Sequence, residues 1–217
     1  MSLYGAETLR QVFQDAHEQD WQLMVHAIGD AALTEVIEEL QPLCAAGNVL
    51  QHRLEHLEVT PPDVLERLAA SGAWACVQPN FARRWSQPGG MNEQRLGAAR
   101  LQQCNVYHSM QAAGVPLAFG SDCMPLGPLY GLQAAVHHPL ESQRLLPEQA
   151  LRYYTATPAV MCFDEAGAGL LRHGQRADLT VLSGDPFIEK PSATVVATMT
   201  DGEWVWQDPA QAPISGP

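Results

Sequence analysis

The chain has 217 residues, of which 46% are apolar, and it carries a formal net charge of −12. This acidity argues against nucleic acid as a partner, because phosphate binding requires a basic surface. Since no apolar run approaches the roughly 18–20 residues that span a bilayer, a membrane partner is not expected either.

Apolar spacing predicts helices that alternate with strands up to about residue 120. The predicted elements are helix 6–20, strand 21–26, helix 31–46, strand 49–56, a helix starting within 60–63, strand 74–79, helix 104–113 and strand 116–120. Thr60 is the expected N-cap of the third helix, and residues 80–103 are expected to form a long loop. Four strands that alternate with helices predict a parallel sheet with right-handed crossovers.

After residue 120 the chain is first predicted to be helical, and from about Gly167 the pattern is that of strands and turns. Helices are predicted at 128–136 and 147–154, and Thr157-Pro158 opens a third, short one. Two apolar runs, 195–199 and 203–206, flank Asp201-Gly202, a dipeptide that favours a hairpin turn. The tail is therefore predicted to form a small antiparallel β unit.

Three predicted strands end on side chains that commonly bind metal ions. The segments LMVHAIGD, VLQHRLEH and PLAFGSD place His26, His56 and Asp122 at strand carboxyl ends. In a parallel α/β protein these ends face the active site. Two imidazoles and a carboxylate suit zinc or a similar divalent ion, which indicates a hydrolase that activates water with a metal.

The order HAIGD, RLEH, QP, GSD and ADLTVLSGDP resembles the amidohydrolase superfamily, in particular its branch of N-substituted formamide deformylase-like enzymes. The resemblance covers about residues 6–206. It implies a (β/α)8 barrel that holds one or two divalent metals and carries a small β-sandwich built from both chain ends.

The chain departs from this pattern in lacking the His-x-His motif of the first barrel strand, and strands two to four are missing as well. A whole barrel takes about 250 residues. The expected fold class is therefore α/β: the C-terminal half of a TIM-type barrel, with about four parallel strands and their helices, plus a small antiparallel β unit. The expected divisions are a partial barrel over 1–165, the C-terminal share of the sandwich over 166–206 and a frayed tail over 207–217.

By this resemblance, His26 and His56 are the metal ligands after the fifth and sixth barrel strands. Asp122 is the aspartate after the eighth strand, which binds metal and handles the proton in catalysis. Gln78 and Trp85 are candidates to contact the substrate, although ordinary packing explains Trp85 equally well.

Other polar residues near these positions have structural explanations. His52 would lie about a dozen ångströms deeper than His56, at roughly 3.3 Å per residue, in the core or behind the ligands. Asp30 is the expected N-cap of helix 31–46, and Glu55 is expected to pair with Arg53. His137-His138 is expected at the surface.

The activity implied by the resemblance is hydrolysis of a C–N bond, of amide or formamide type, in a small molecule. Zinc is the expected metal, with at most one ion in this chain. The alternative is a catalytically silent half-barrel that binds metal weakly or serves only as an assembly module. A flavodoxin-like redox domain is disfavoured, because His26 to Asp30 is a poor phosphate-binding loop.

Half a barrel would expose the inner sheet face and leave strands 21–26 and 116–120 as open edges. The expected partner is therefore a second copy of the chain or the missing N-terminal half. Five widely spaced cysteines without a Cys-x-x-Cys pair argue against a disulfide framework and for a reducing, cytoplasmic location.

Overall fold

A computed structural model describes residues 4–123, 126–188 and 192–211 of the chain. The α-helices are α1 (Ala6–Glu18), α2 (Asp30–Cys44), α3 (Pro62–Ser71), α4 (Pro79–Trp85), α5 (Met91–Leu96), α6 (Ala98–Leu101), α7 (Tyr107–Ala112), α8 (Pro128–Val136), α9 (Pro147–Tyr154) and α10 (Ala156–Met161). The strands are β1 (Met24–Ala27), β2 (Arg53–His56), β3 (Trp74–Val77), β4 (Leu117–Phe119), β5 (Leu179–Leu182), β6 (Val195–Thr200) and β7 (Glu203–Gln207). A 3₁₀ turn spans Glu141–Gln143.

The first four strands form a parallel sheet in the order β1-β2-β3-β4. Each strand pairs with the next one in the chain, and helices occupy the connections, as in a barrel wall. This confirms the predicted half-barrel. All four strands run in the same direction, so their carboxyl ends lie along one edge of the sheet.

One face of the sheet forms the hydrophobic core together with the helices. Leu54, Ala75 and Leu117 are buried on this face. Helices α2 and α3 contribute further buried side chains, among them Ile37 and Leu68. This packing fixes the direction of the strands and the position of their carboxyl ends.

Helix α3 ends as its sequence indicates but begins differently. Gly72 closes it with a left-handed φ of 72°, a conformation that glycine adopts easily. The prediction that Thr60 is the N-cap is wrong, because the N-cap is Pro61. The Thr60 hydroxyl instead donates to the Leu57 carbonyl at 2.8 Å. Thr60 therefore stabilises the turn after β2 instead of the helix.

The segment predicted as a long loop over 80–103 contains three short helices, α4 to α6. Their brevity explains the error, since four to seven residues give too little apolar periodicity to detect. A buried polar cluster holds the segment in place: Asn92 and Asn105 both donate side-chain amide hydrogens to Ser86 Oγ.

The two edge strands differ in how they are covered. All residues of β4 are buried, and Phe119 packs against the rings of Tyr153 and Tyr154 in α9, with centroids 5.2 and 5.4 Å away. Ala118 points to the opposite face from Leu117 and Phe119 and is only 1% exposed, so the expectation of an exposed inner face is wrong for β4. It holds for β1, where Met24 is 60% exposed.

The C-terminal part forms an antiparallel sheet in the order β5-β6-β7, as predicted. The hairpin turns at Asp201 and Gly202, which have φ values of 50° and 83°. The Asp178 carboxylate accepts the Asp201 N–H at 2.8 Å, which ties the turn to the start of β5. Gln207, predicted to begin a frayed tail, is the last residue of β7. Residues 212–217 of that predicted tail lie outside the described residues. None of the described helices is long and apolar enough to cross a membrane.

Candidate active site at the carboxyl edge of the sheet

The structure brings His26 and His56 together at the carboxyl edge. Their ring centroids lie 4.5 Å apart, with the planes at 70°. The strand register pairs His26 with Glu55, and Ala27 with His56. His56 and Leu57 have φ values of 80° and 50°, so the chain leaves the extended conformation here. Left-handed residues other than glycine concentrate at functional sites, where the surrounding structure holds them.

Glu55 is occupied elsewhere. Its carboxylate accepts from Arg53 Nε at 2.7 Å, as the sequence predicts. The Glu55 carboxylate also lies beside the Cys76 thiol. Burial, and then the Glu55 charge, raise the pKa of that thiol. Glu55 therefore belongs to the inner face of the sheet and leaves the carboxyl edge to the imidazoles.

Gln78 lies directly behind His56. Its Oε1 is 2.9 Å from His56 Nδ1, and the side chain is 5% exposed. The structure adds a contact of Gln78 with the His56 imidazole, and its predicted contact with the substrate stays a prediction. An Nδ1–H donated to Gln78 leaves Nε2 with its lone pair, which is the form that binds a metal.

An aromatic pair continues the site beyond His56. The Phe81 ring lies parallel to the imidazole, at 8° and 6.1 Å between centroids. Trp85 is half-buried against Phe81, with centroids 4.6 Å apart. Phe81 is absent from the sequence prediction because residues 80–103 are expected there to form a loop. Pro79, as the first residue of a helix, is the signal that places Phe81 and Trp85 on one helical face.

Asp122 follows β4 by three residues, is exposed and has a φ of 51°. Strand β4 lies three positions from β1, roughly 14 Å away in a flat sheet at about 4.8 Å per strand. Across 4–123, 126–188 and 192–211, no group of three or more His, Cys, Asp or Glu side chains could hold a metal ion. The two imidazoles thus fit a divalent ion as a partial ligand set, and Asp122 is not assembled with them.

Two tyrosines, the buried Tyr107 and the half-buried Tyr154, hold the strand ends that carry these residues. Tyr107 donates to the Gln78 carbonyl at 3.1 Å, and Tyr154 donates to the Gly120 carbonyl at 3.4 Å. Burial raises the pKa of both phenols, so they remain neutral donors. They anchor β3 and β4 just before Gln78 and Asp122.

Comparison with known proteins identifies the family. Residues 2–206 match the family model described as "Amidohydrolase family". The chain belongs to the amidohydrolase family.

Similar proteins include YtcJ of Bacillus subtilis, an amidohydrolase by name, at 29% identity over 95% of this chain. The N-substituted formamide deformylase of Arthrobacter pascens is 28% identical over 83% of this chain. The chain spans only 41% and 35% of those two relatives. Among solved structures, an uncharacterized metal-dependent hydrolase from Pyrococcus furiosus matches with a TM-score of 0.74 and 24% identity, over 87% of this chain and 39% of that one.

One acidic residue of this amidohydrolase chain is buried shortly after β2, which its sequence does not predict. Glu58 follows His56 by two residues and is 8% exposed. Burial raises the pKa of its carboxyl to about 7. Its burial depends on a segment distant in sequence: the Asn105 N–H donates to the Glu58 carbonyl at 2.9 Å, and Val59 forms a β-bridge with Cys104.

The remaining histidines of the amidohydrolase chain divide between core and surface. His52 is fully buried, as expected from its depth below His56. The expected surface position of His138 is wrong: it is fully buried, accepts the Leu140 N–H at Nδ1 and lies 5.3 Å from the Tyr107 ring. Its neighbour His137 is exposed. Asp30 is also corrected, since it is the first residue of α2 and Gly29 is the N-cap.

Proposed function

We propose that this chain supplies the ligand-bearing part of a metal-dependent amidohydrolase that cleaves an amide or formamide C–N bond in a small molecule. The observation that carries the proposal is the pair of imidazoles, 4.5 Å apart at the carboxyl edge of the sheet. Family membership supports it, and so does the activity named for the Arthrobacter relative.

The proposed ligands are His26 and His56, with zinc as the preferred ion because neutral imidazoles suit it. When bound, such an ion lowers the pKa of water to about 7 and polarises a carbonyl group. His26 and His56 would bind the ion as neutral imidazoles, and Gln78 accepts the Nδ1 hydrogen of His56.

Asp122 is the proposed catalytic acid–base residue. Its role as third ligand stays a prediction, because the described residues do not bring it together with His26 and His56. Asp122 accepts the proton of the attacking water at a carboxylate oxygen and returns it to the departing nitrogen. Proton transfer of this kind contributes roughly 10²–10⁴-fold to the rate. Its position on the exposed turn after β4 leaves it free of the buried core.

The proposed metal site is incomplete in this chain, so the expected activity of the isolated chain is low. Two imidazoles and one aspartate fall short of the family's ligand set, and the chain spans 41% of YtcJ. We therefore propose that the isolated chain has negligible turnover. We further propose a cytoplasmic setting, supported by five free thiols.

A second candidate function is a silent module that serves only in assembly. It is favoured by the lack, within the described residues, of any group of three or more metal-binding side chains. The two candidates differ in metal content, since only the first requires a bound ion.

Metal analysis of the purified chain, combined with a hydrolysis assay, tests the proposal. We expect close to one equivalent of zinc and negligible cleavage of N-formyl and N-acyl amines. A metal-free protein would favour the silent module. Robust metal-dependent cleavage that Asp122→Asn abolishes, with Asp15→Asn as an exposed control on α1, would show that the chain alone builds a full site.

A further inference from the structure

We propose that Gln78 is a positioning residue for His56: it holds the imidazole in the Nδ1–H form and so directs the lone pair of Nε2 toward the space beside His26. The use of that lone pair by a metal rests on the proposed function. The tautomer itself is a property of the chain.

The hydrogen bonds of Gln78 determine which way its amide points. Oε1 faces His56 Nδ1 at 2.9 Å, and Nε2 donates to the Cys76 carbonyl at 3.4 Å. A flipped amide would set Oε1 against the Cys76 carbonyl, with two acceptors facing each other. With Oε1 toward the ring, Gln78 can only accept, so His56 must carry its hydrogen on Nδ1.

Gln78 is held firmly enough to impose this choice. Its side chain is 5% exposed, and its carbonyl accepts from the buried Tyr107 hydroxyl at 3.1 Å. Pro79 follows as the first residue of α4, which restricts the backbone at this point. Burial, the hydrogen bond from Tyr107 to its backbone carbonyl and the start of α4 therefore hold Gln78 in place beside His56.

His56 needs such support, because its own strand does not orient it. Its φ of 80° takes it out of the extended conformation, and the next residue is left-handed as well. Phe81 bounds one face of the ring at 6.1 Å. The Gln78 amide is the hydrogen-bond partner on the Nδ1 side, so removing it frees both the rotation and the tautomer of the ring.

The decisive experiment is ¹⁵N NMR of histidine-labelled, metal-free chain at a pH well above the ordinary histidine value of about 6.5. The His56 signals are assigned from their loss in His56→Gln. We expect protonated Nδ1 in the wild type. In Gln78→Leu we expect a shift of the population toward Nε2–H.

The matched control is Gln143→Leu, which removes another buried glutamine, one that pairs with Ser109. It should leave the His56 tautomer unchanged, so a general loss of stability is separated from positioning. Should Gln78→Leu fail to fold, the tautomer of His56 in the wild type still decides the matter. An Nε2–H form of His56 in the wild type overturns the proposal, as does an unchanged tautomer in Gln78→Leu.

Zinc affinity provides the second readout. Loss of a group that orients a histidine ligand typically weakens metal binding about 10–100-fold, which we expect for Gln78→Leu and not for the control Gln143→Leu. If the tautomer depends on Gln78 while His56→Gln leaves zinc affinity unchanged, the positioning inference stands and the proposed metal function of His56 fails.

Discussion

His52 shows how a single buried residue makes the stability of this chain depend on pH. Its Nδ1 accepts the Leu23 N–H at 3.0 Å, so its hydrogen lies on Nε2 and is donated to His17 Nδ1 at 2.9 Å. A proton added to either ring would set two donors against each other. Burial, and then the nearby His17 charge, lower the pKa of His52 to about 4.

We predict that acidification from pH 8 to pH 5 destabilises the chain through His52. The unfolded state binds a proton at about pH 6.5 and the folded state only near pH 4, so the free energy of unfolding falls as the pH drops through that window. Between pH 6.5 and pH 5, at about 1.4 kcal/mol per pKa unit, His52 alone lowers the free energy of unfolding by about 2 kcal/mol. His138, with its pKa lowered to about 4 by burial, acts in the same direction. Glu58, with a raised pKa, opposes it between about pH 4.5 and 7.

Urea unfolding of His52→Asn at the two pH values checks this prediction. The variant should be less stable at pH 8, and its loss of stability on acidification should be smaller than that of the wild type. The exposed His108→Asn serves as the control and should retain the full loss. An equal loss in His52→Asn and the wild type would contradict the assignment.

At the scale of elements, Gly131 sets how closely α8 approaches its neighbours. A Cβ at this position would overlap the Tyr154 hydroxyl and lie 2.5 Å from Asn80 Oδ1. Tyr154 also donates to the Gly120 carbonyl just before Asp122. The lack of a side chain at Gly131 therefore leaves room for the Tyr154 hydroxyl, which holds the end of β4 through the Gly120 carbonyl.

We predict that Gly131→Ala destabilises the chain, against its helix propensity. Alanine favours a helix interior by about 0.8–1.0 kcal/mol over glycine, but overpacking typically costs about 1–3 kcal/mol. Thermal or urea unfolding measures the net loss, which we expect at about 1–2 kcal/mol. Gly184→Ala, which meets no atom within 4 Å, should be close to neutral. A stabilised Gly131→Ala would show that α8 shifts freely.

The elements that sequence predicts well are those with a regular apolar spacing. The bounds of α8 and α9 and the hairpin at Asp201-Gly202 follow directly from local patterns. Thr60 and the helices within 80–103 do not, because tertiary contacts, such as the Ser86 cluster, decide them.

The candidate site divides in the same way. His26 and His56 are found by their places at strand ends. The contacts of Gln78 and Phe81 with His56, and the burial of Glu58 and His138, depend on segments that meet only in the folded chain.

At the scale of the whole molecule, β1 is an edge strand with apolar neighbours. Trp21 is 63% exposed, Met24 60% and Val49 76%. Burying apolar surface gains about 25 cal/mol per Å², and an edge strand offers unpaired backbone groups. The partner that covers this edge is proposed to be a second copy of the chain, in place of the remainder of a barrel.

We predict that the chain forms a dimer or higher oligomer at micromolar concentration and that Met24→Lys shifts it toward the monomer. Leu171→Lys, at a residue 86% exposed on another part of the surface, should leave the assembly unchanged. Light scattering distinguishes these states. A monodisperse wild-type monomer of 23.6 kDa would rule out self-association through β1.

The central claim is that His26 and His56 bind a divalent ion, and calorimetric titration of the metal-free chain with zinc tests it most directly. We expect one ion per chain, with binding lost in the double variant His26→Gln/His56→Gln and retained in His108→Gln. Zinc binding of equal affinity and stoichiometry in the wild type and the double variant, or no binding by the wild type, would contradict the claim.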